Sequence, residues 1–388
     1  MNAKSAEKQS MRTGKKAFSM IGMVLATLAL VAAYHHRGER DSGHFLTAYP
    51  GKAGGKLDHC ALCHSGGQLE KNGAKVALGS CQWCHFKYGY DQKGPLADTL
   101  NAYGRDYLAA GRDGAAIVAI AGRDSDGDGF SNREEIAADR FPGSAGDDPD
   151  KTAAPMRVYT GAQLQALPQH TQFLLQNASK SRDGYAEYSG VPMDALLRDA
   201  GILETATGIT VFSPDGWSQY HPLRPLDDPA MYHVSGAYPE ARYHFSGPAA
   251  AWCDFSAPSC AGRKPGEVIR VAGGLRMIVA LAREGVPLAP AVLSKDNKLD
   301  GEGPYRVIVP QKRQSPPDQS SQAQDQPAPW PYRADWDHNA GSSTRAVTLI
   351  RVEPLPPGTT DIDVAEMGWN YIDEGKIVIY GAIAAEKK

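Results

Sequence analysis

Cys60-Ala61-Leu62-Cys63-His64 is followed, 21 residues on, by Cys81-Gln82-Trp83-Cys84-His85. In a C-x-x-C-H run two thiols are spaced to add to the two vinyl groups of a haem, and the next imidazole falls under the iron. A chain with two such runs has to fold that region around two large apolar rings. The pattern predicts two covalently bound haem c groups, held by Cys60, Cys63, Cys81 and Cys84, with His64 and His85 as proximal ligands. Two alternatives stay open. The four thiols also fit the zinc-ribbon spacing C-x2-C-x17-C-x2-C, and each pair could close a local disulfide. A histidine directly after each pair favours haem, since neither alternative needs one.

The sixth ligands can be narrowed by composition. No Met occurs between residues 35 and 155, whereas His35, His36, His44 and His59 do. Bis-His ligation is therefore expected, with His44 and His59 the best distal candidates and a surface role the alternative for each. Losing Met as a ligand lowers the reduction potential, and an iron with two His ligands passes electrons without binding substrate. Trp83, Phe86, Tyr88 and Tyr90 crowd the second motif and offer rings to pack on a porphyrin.

The N-terminus points to export. Ala17 to Tyr34 carries no charge over 18 residues and follows Lys4, Lys8, Arg12, Lys15 and Lys16. A basic region before an apolar run is the pattern of a secretory signal, and Val31-Ala32-Ala33 offers small residues for cleavage. The run is also long enough to stay as a membrane anchor with its basic end in the cytoplasm; a buried core helix is the remaining alternative. The working protein is expected in the periplasm or on the outer face of the cytoplasmic membrane. Residues 1–33 carry a net +4, so the rest of the chain is −7 against −3 for the whole. That excess of acid excludes a strongly basic nucleic-acid binder.

Residues 124–135 read DSDGDGFSNREE and match D-x-D-x-D-G-x5-E in full. Asp124, Asp126 and Asp128 would give carboxylates at positions 1, 3 and 5 and Phe130 a backbone carbonyl at 7. Asn132 stands at position 9, Glu135 would be bidentate at 12, and Gly129 makes the turn. One structural Ca2+ is expected, with a solvated acidic turn as the alternative. Leu100 to Ala121 has helix-like apolar spacing (Leu100, Tyr103, Tyr107, Leu108, Ile117, Ile120), and Asp147 to Asp150 reads as a linker.

Three units follow: residues 1–34 as signal or anchor, 35–150 as a small, mostly α diheme unit with its calcium loop at 124–135, and 151–388 as a mixed α and β domain. In the last, Gly208 to Phe212, Val268 to Ala272, Tyr305 to Val309, Ala346 to Val352 and Lys376 to Tyr380 read as strands, and Pro192 to Gly201 as a helix. Residues 312–329, rich in Pro and Gln, read as a mobile insertion. Cys253 and Cys260 most simply form a disulfide outside the cytoplasm. His170, His221, His233, His244 and His338 show no ligand spacing, so structural roles are expected; Asp335-Trp336-Asp337-His338 is the one catalytic-looking group among them.

The calcium run resembles the thrombospondin type 3-like turns found after haem motifs in exported bacterial cytochromes. Tyr188-Ser189-Gly190-Val191-Pro192-Met193 with Leu196-Leu197, Ser213-Pro214-Asp215-Gly216-Trp217 and Gly303 to Pro310 resemble segments of the sulfite-oxidase-like molybdopterin-binding fold. Gly301-Glu302-Gly303-Pro304 with the two C-x-x-C-H runs resembles the GEGP-motif diheme proteins. The molybdopterin resemblance implies a cysteine ligand to molybdenum ahead of the G-V-P segment, yet residues 151–189 contain no Cys. The expected fold class is α+β, and the expected function is electron transfer between redox proteins, with the C-terminal domain as a docking module unlikely to hold molybdopterin. The rival expectations are a molybdenum oxidoreductase wired by its haems, and a zinc-ribbon interaction protein.

Overall fold

The computed structural model describes residues 40–71, 74–89, 93–226, 231–244, 253, 256–295, 298–318, 331–362 and 368–385. The segment Ala17 to Tyr34, His35, His36, Tyr90 and residues 319–329 lie outside the described residues. No described helix is long and apolar enough to cross a membrane.

The N-terminal unit is built from short helices. Helix α1 spans Arg40–Ala48, α2 Ser80–Lys87, α3 Ala102–Ala109, α4 Gly114–Ala119 and α5 Asn132–Ala137. A hairpin, β1 (Gly67–Lys71) and β2 (Ala74–Leu78), separates the two C-x-x-C-H runs. The helix expected over Leu100 to Ala121 is instead two helices, α3 and α4. Gly111 at φ 115° and Arg112 at φ 54° break it, and the Asp113 carboxylate caps the restart by accepting from Ala116 N at 2.8 Å. Arg112 is steadied in that turn by a two-point ion pair with Asp41 (3.0 and 2.7 Å). The apolar period nevertheless runs across the break: Tyr103, Tyr107, Ile117 and Ile120 bury together with Phe45, Leu57, Leu62 and Ile136. Leu108, expected in that stripe, is exposed.

The C-terminal domain carries two five-stranded sheets. In chain order the strands are β3 (Met156–Thr160), β4 (His170–Gln176), β5 (Gly184–Pro192), β6 (Gly208–Phe212), β7 (Ser218–Pro222), β8 (Ile278–Arg283), β9 (Val286–Pro287), β10 (Arg306–Ile308), β11 (Leu349–Glu353) and β12 (Lys376–Gly381). The first sheet runs β9-β8-β5-β4, with β10 also pairing with β8, all antiparallel. The second runs β3-β12-β11-β6-β7, with one parallel pair, β11 and β12.

Strand alternation explains the layering. Ile209, Val211, Ile350, Val352, Ile377 and Ile379 form one face of the second sheet and share a core with Leu174, Tyr185, Val279 and Val307 of the first. The alternate residues Phe212, Leu349, Val378 and Tyr380 form the opposite face, with a smaller core of their own. It is this second face that looks toward the N-terminal unit.

Helix Met193–Asp199 follows the expected Pro192 and stops before Gly201, whose φ is +79°. The strand expected from Ala346 begins at Leu349, because Ala346 takes φ 50° and turns its N–H to Glu302 O. The stretch expected as a mobile insertion is, over residues 312–318, packed. Asp337 accepts from Lys312 N (2.6 Å) and Arg313 N (3.0 Å), Asp183 accepts from Asp318 N (2.8 Å), and Ser315 and Asp318 are buried. Polar composition suggested a solvated loop, but these polar groups are satisfied by buried carboxylates. Cys253 and Cys260 form the expected disulfide.

The two halves are clasped. Asp147, buried, ion-pairs with Lys56 Nζ at 2.8 Å, accepts from Phe141 N at 2.9 Å and accepts from the Thr360 hydroxyl. Lys56 precedes the first cysteine run, Phe141 follows the acidic loop, and Thr360 belongs to the C-terminal domain. A second contact joins Gln82 on α2 to Ser218 on β7, through Gln82 Nε2 to Ser218 O (2.8 Å) and Ser218 Oγ to Gln82 Oε1 (3.1 Å).

Candidate haem-attachment and cation sites

The first run forms a tight 3-10 turn over Cys60–Leu62, with Cys63 N and His64 N both bonding to Cys60 O. Asn101 fixes it from outside. Its Nδ2 donates to Ala61 O (2.9 Å) and Leu62 O (3.0 Å), its N–H to Cys63 O (2.9 Å), and its Oδ1 caps α3 by accepting from Gly104 N. Helix α3 can come this close only because residue 104 is glycine, since a Cβ there would stand 2.1 Å from Cys63 O.

His64 Nδ1 lies 2.9 Å from Thr99 Oγ1, and that hydroxyl donates to Leu96 O at 2.7 Å. With its one proton committed, Thr99 Oγ1 must accept from His64 Nδ1–H. This fixes the tautomer and leaves Nε2 with its lone pair, the state a metal-ligating imidazole needs. Burial lowers the His64 pKa, which keeps the ring neutral. Burial, with the nearby Asp41 and Cys60, pushes the Cys63 thiol up to about 12.

The second run lies on α2, entered through Gly79, whose N–H donates to Gln82 Oε1 (3.2 Å). It meets the first run directly. Cys60 and Cys81 line one cavity, and the Cys60 thiol beside it holds the Cys81 pKa below its ordinary value. Trp83 Nε1 donates to Asp98 O (3.2 Å) and stacks on Phe86 at 5.7 Å, with Lys87 lying 5.0 Å from the Trp83 ring. Gly216, in the Ser213 to Trp217 turn, faces Cys81 so closely that a Cβ would be 2.9 Å from its Sγ.

A cavity of about 170 Å³ is lined by Cys60, Cys63, His64, Cys81 and His59. A larger one, about 450 Å³, lies between His59 and His64 on one side and Phe212, Tyr220 and Arg351 of the second sheet on the other. Of the two expected distal histidines, His59 lines both cavities and His44 lines neither. His59 Nδ1 accepts from Ala61 N at 3.1 Å, which leaves its ring proton on Nε2. His44 Nδ1 lies 2.8 Å from the Tyr107 hydroxyl, which itself bonds Asp41 (3.0 Å). His85 is half-buried on α2.

The donor set fits covalent haem. The four motif cysteines carry no disulfide, His64 presents Nε2, and both runs border one another. Zinc fits less well. Among the described residues only Asp124, Asp126 and Asp128 bring three ligand atoms within 4.8 Å, and the four cysteines do not.

The acidic loop brings one carboxylate oxygen each of Asp124, Asp126 and Asp128 within 4.8 Å of one another. Asp124 accepts from Gly127 N (2.7 Å) and Gly129 N (2.9 Å), with both glycines at positive φ. Phe130, at position 7, gives its N–H to Asp128 Oδ1 (2.9 Å). Both carboxylate oxygens of Asp126 and of Glu135, and Asp128 Oδ2, are buried with no hydrogen-bond partner. Glu135 is fully buried, and so is Asn132, whose Nδ2 holds Ile120 O (2.7 Å) while its Oδ1 has no partner. Burial, then repulsion from Asp126, Asp128 and Asp124, pushes Glu135 up to about 9, and burial with Asp128 pushes Asp126 up to about 6. A buried carboxylate without a partner is costly, and a divalent cation relieves that cost by supplying the missing partner.

The C-terminal histidines stay apart. His221 is buried, bonded through Nδ1 to Tyr232 O (3.0 Å) and lowered to about 4 by burial. His338 Nε2 stands 3.3 Å from Asp318 Oδ1, and Asp337 is occupied by the loop contacts described above. The Asp335 to His338 group therefore fastens loops together. Sequence reasoning missed Thr99, Asn101 and Gly104, and met Gly216 only within the Ser213 to Trp217 turn. Only the N-x-x-G spacing of Asn101 and Gly104, an N-cap signature, could have marked any of them. No family model, curated protein or solved structure matches the chain.

Proposed function

We propose that this chain is an exported diheme c-type cytochrome that passes electrons between redox partners and carries one structural Ca2+. The observation that carries the reading is the meeting of the two C-x-x-C-H runs at one cavity, lined by Cys60, Cys63 and His64 of the first run and Cys81 of the second. Cys60 and Cys63 would hold one haem over His64, and Cys81 and Cys84 the other over His85. Bound there, the haems supply reversible one-electron chemistry. The chain's own residues orient the ligand (Thr99), fix the attachment turn (Asn101, Gly104) and roof it with the second sheet.

The calcium reading rests on the partnerless Glu135 and Asp126 carboxylates. The C-terminal domain serves as scaffold and docking module. In support, both described cysteines of that domain lie in a disulfide, which leaves no thiolate there for molybdenum.

The test is a count of metals and haem per chain on the purified full-length protein. Two irons, two haems by pyridine haemochrome and one calcium are expected, and Cys60→Ala and Cys81→Ala should each lose one haem. Zinc in place of iron overturns the reading, and stoichiometric molybdenum would make the protein an oxidoreductase with built-in haems.

A further inference from the structure

Thr99 is fully buried at the end of a 3-10 turn, and its position is fixed by three groups at once. Its hydroxyl gives its proton to Leu96 O and receives the His64 Nδ1 proton. The backbone around it is pinned to the first run as well, since Ser65 N donates to Thr99 O and Asn101 N to Cys63 O, both at 2.9 Å.

We propose that Thr99 is a positioning residue for His64, and that its hydroxyl sets the reduction potential of the haem over His64. This rests on the diheme reading above. An imidazole whose Nδ1–H is held by an acceptor is a more basic ligand through Nε2 and favours ferric iron. Removing the acceptor weakens that preference and raises the potential. A tenfold fall in the preference of the ligand set for ferric over ferrous iron, the low end of the effect of such partners, reads as about 59 mV upward for one electron.

The experiment is a spectroelectrochemical titration of wild-type, Thr99→Val and Thr99→Ser full-length protein, with haemochrome counts on each. The expected result is two haems in all three, one of the two potentials raised in Thr99→Val, and recovery of the wild-type value in Thr99→Ser. A valine variant with two haems and both potentials unchanged overturns the proposal. A second measurement needs no variant: nitrogen-15 spectra of the ferrous wild-type protein should show a slowly exchanging His64 Nδ1 proton. A proton exchanging as fast as that of an exposed imidazole overturns the proposal even where the valine variant does not fold. Absence of haem from the wild-type protein would instead count against the diheme reading itself.

Discussion

Glu135 is shifted further in pKa than any other carboxyl of the acidic loop. It is buried with neither oxygen bonded, and its pKa is raised to about 9. A carboxyl raised in the folded state favours folding below its unfolded value, near 4.3, and loses that contribution as pH climbs toward 9. The calcium-free protein should therefore be more stable at pH 5 than at pH 8 in thermal melts with chelator. Saturating calcium should remove or reverse that trend, because the cation binds the ionised carboxylates. Melts that are equally pH-dependent with and without calcium would count against the site. Glu135→Gln keeps the shape and removes the charge, so it should abolish calcium binding by calorimetry while making the chelated protein less sensitive to pH. A different constraint holds at Gly104, where a methyl group would meet Cys63 O at 2.1 Å. Gly104→Ala should cost about 1–3 kcal/mol in denaturant unfolding. It should also lower haem occupancy at the first run while leaving the second filled.

Among the elements, those with a strong local signal were legible. Gly208–Phe212 was read to the residue, because an apolar run between glycine and Ser-Pro has no competing interpretation. The Pro192 start and Gly201 stop bracketed their helix for the same reason. His170–Gln176, Gly184–Pro192 and Ile278–Arg283 escaped, because strands buried on both faces lose the alternation that marks a half-buried one. The α3–α4 break was hidden by an apolar period that continues through it, and only the Gly111 to Asp113 capping chemistry gives it away. At the candidate centre the two cysteine pairs, the histidine after each and the acidic loop stand out by spacing. Thr99 does not, since a lone Thr 35 residues from its histidine carries no pattern. The reversal over residues 312–318 teaches the complementary point: polarity implies solvent only when no buried carboxylate waits to receive it.

For the molecule as a whole, Asp147 governs how the two halves meet. It is buried, and it touches Lys56 ahead of the first cysteine run, the strap after the acidic loop, and the C-terminal domain. Asp147→Ala leaves Lys56 buried without its counter-charge and should cost about 3–5 kcal/mol, read as a lower denaturant midpoint. It should also open the chain to limited proteolysis between residues 138 and 155; unaltered protection would show that other contacts hold the halves together. The packing of Gly216 against Cys81 Sγ has a further consequence, and it concerns order in time. Once the C-terminal domain has closed on α2, that thiol is roofed by the turn at Ser213 to Trp217. Under the diheme reading, an apparatus that joins a vinyl group to Cys81 would have to reach it before the roof is in place. Maturation would then run in the same direction as emergence of the chain, N-terminal unit first. A protein allowed to fold completely without haem would be a kinetic dead end, slow to accept haem later until its second domain is loosened.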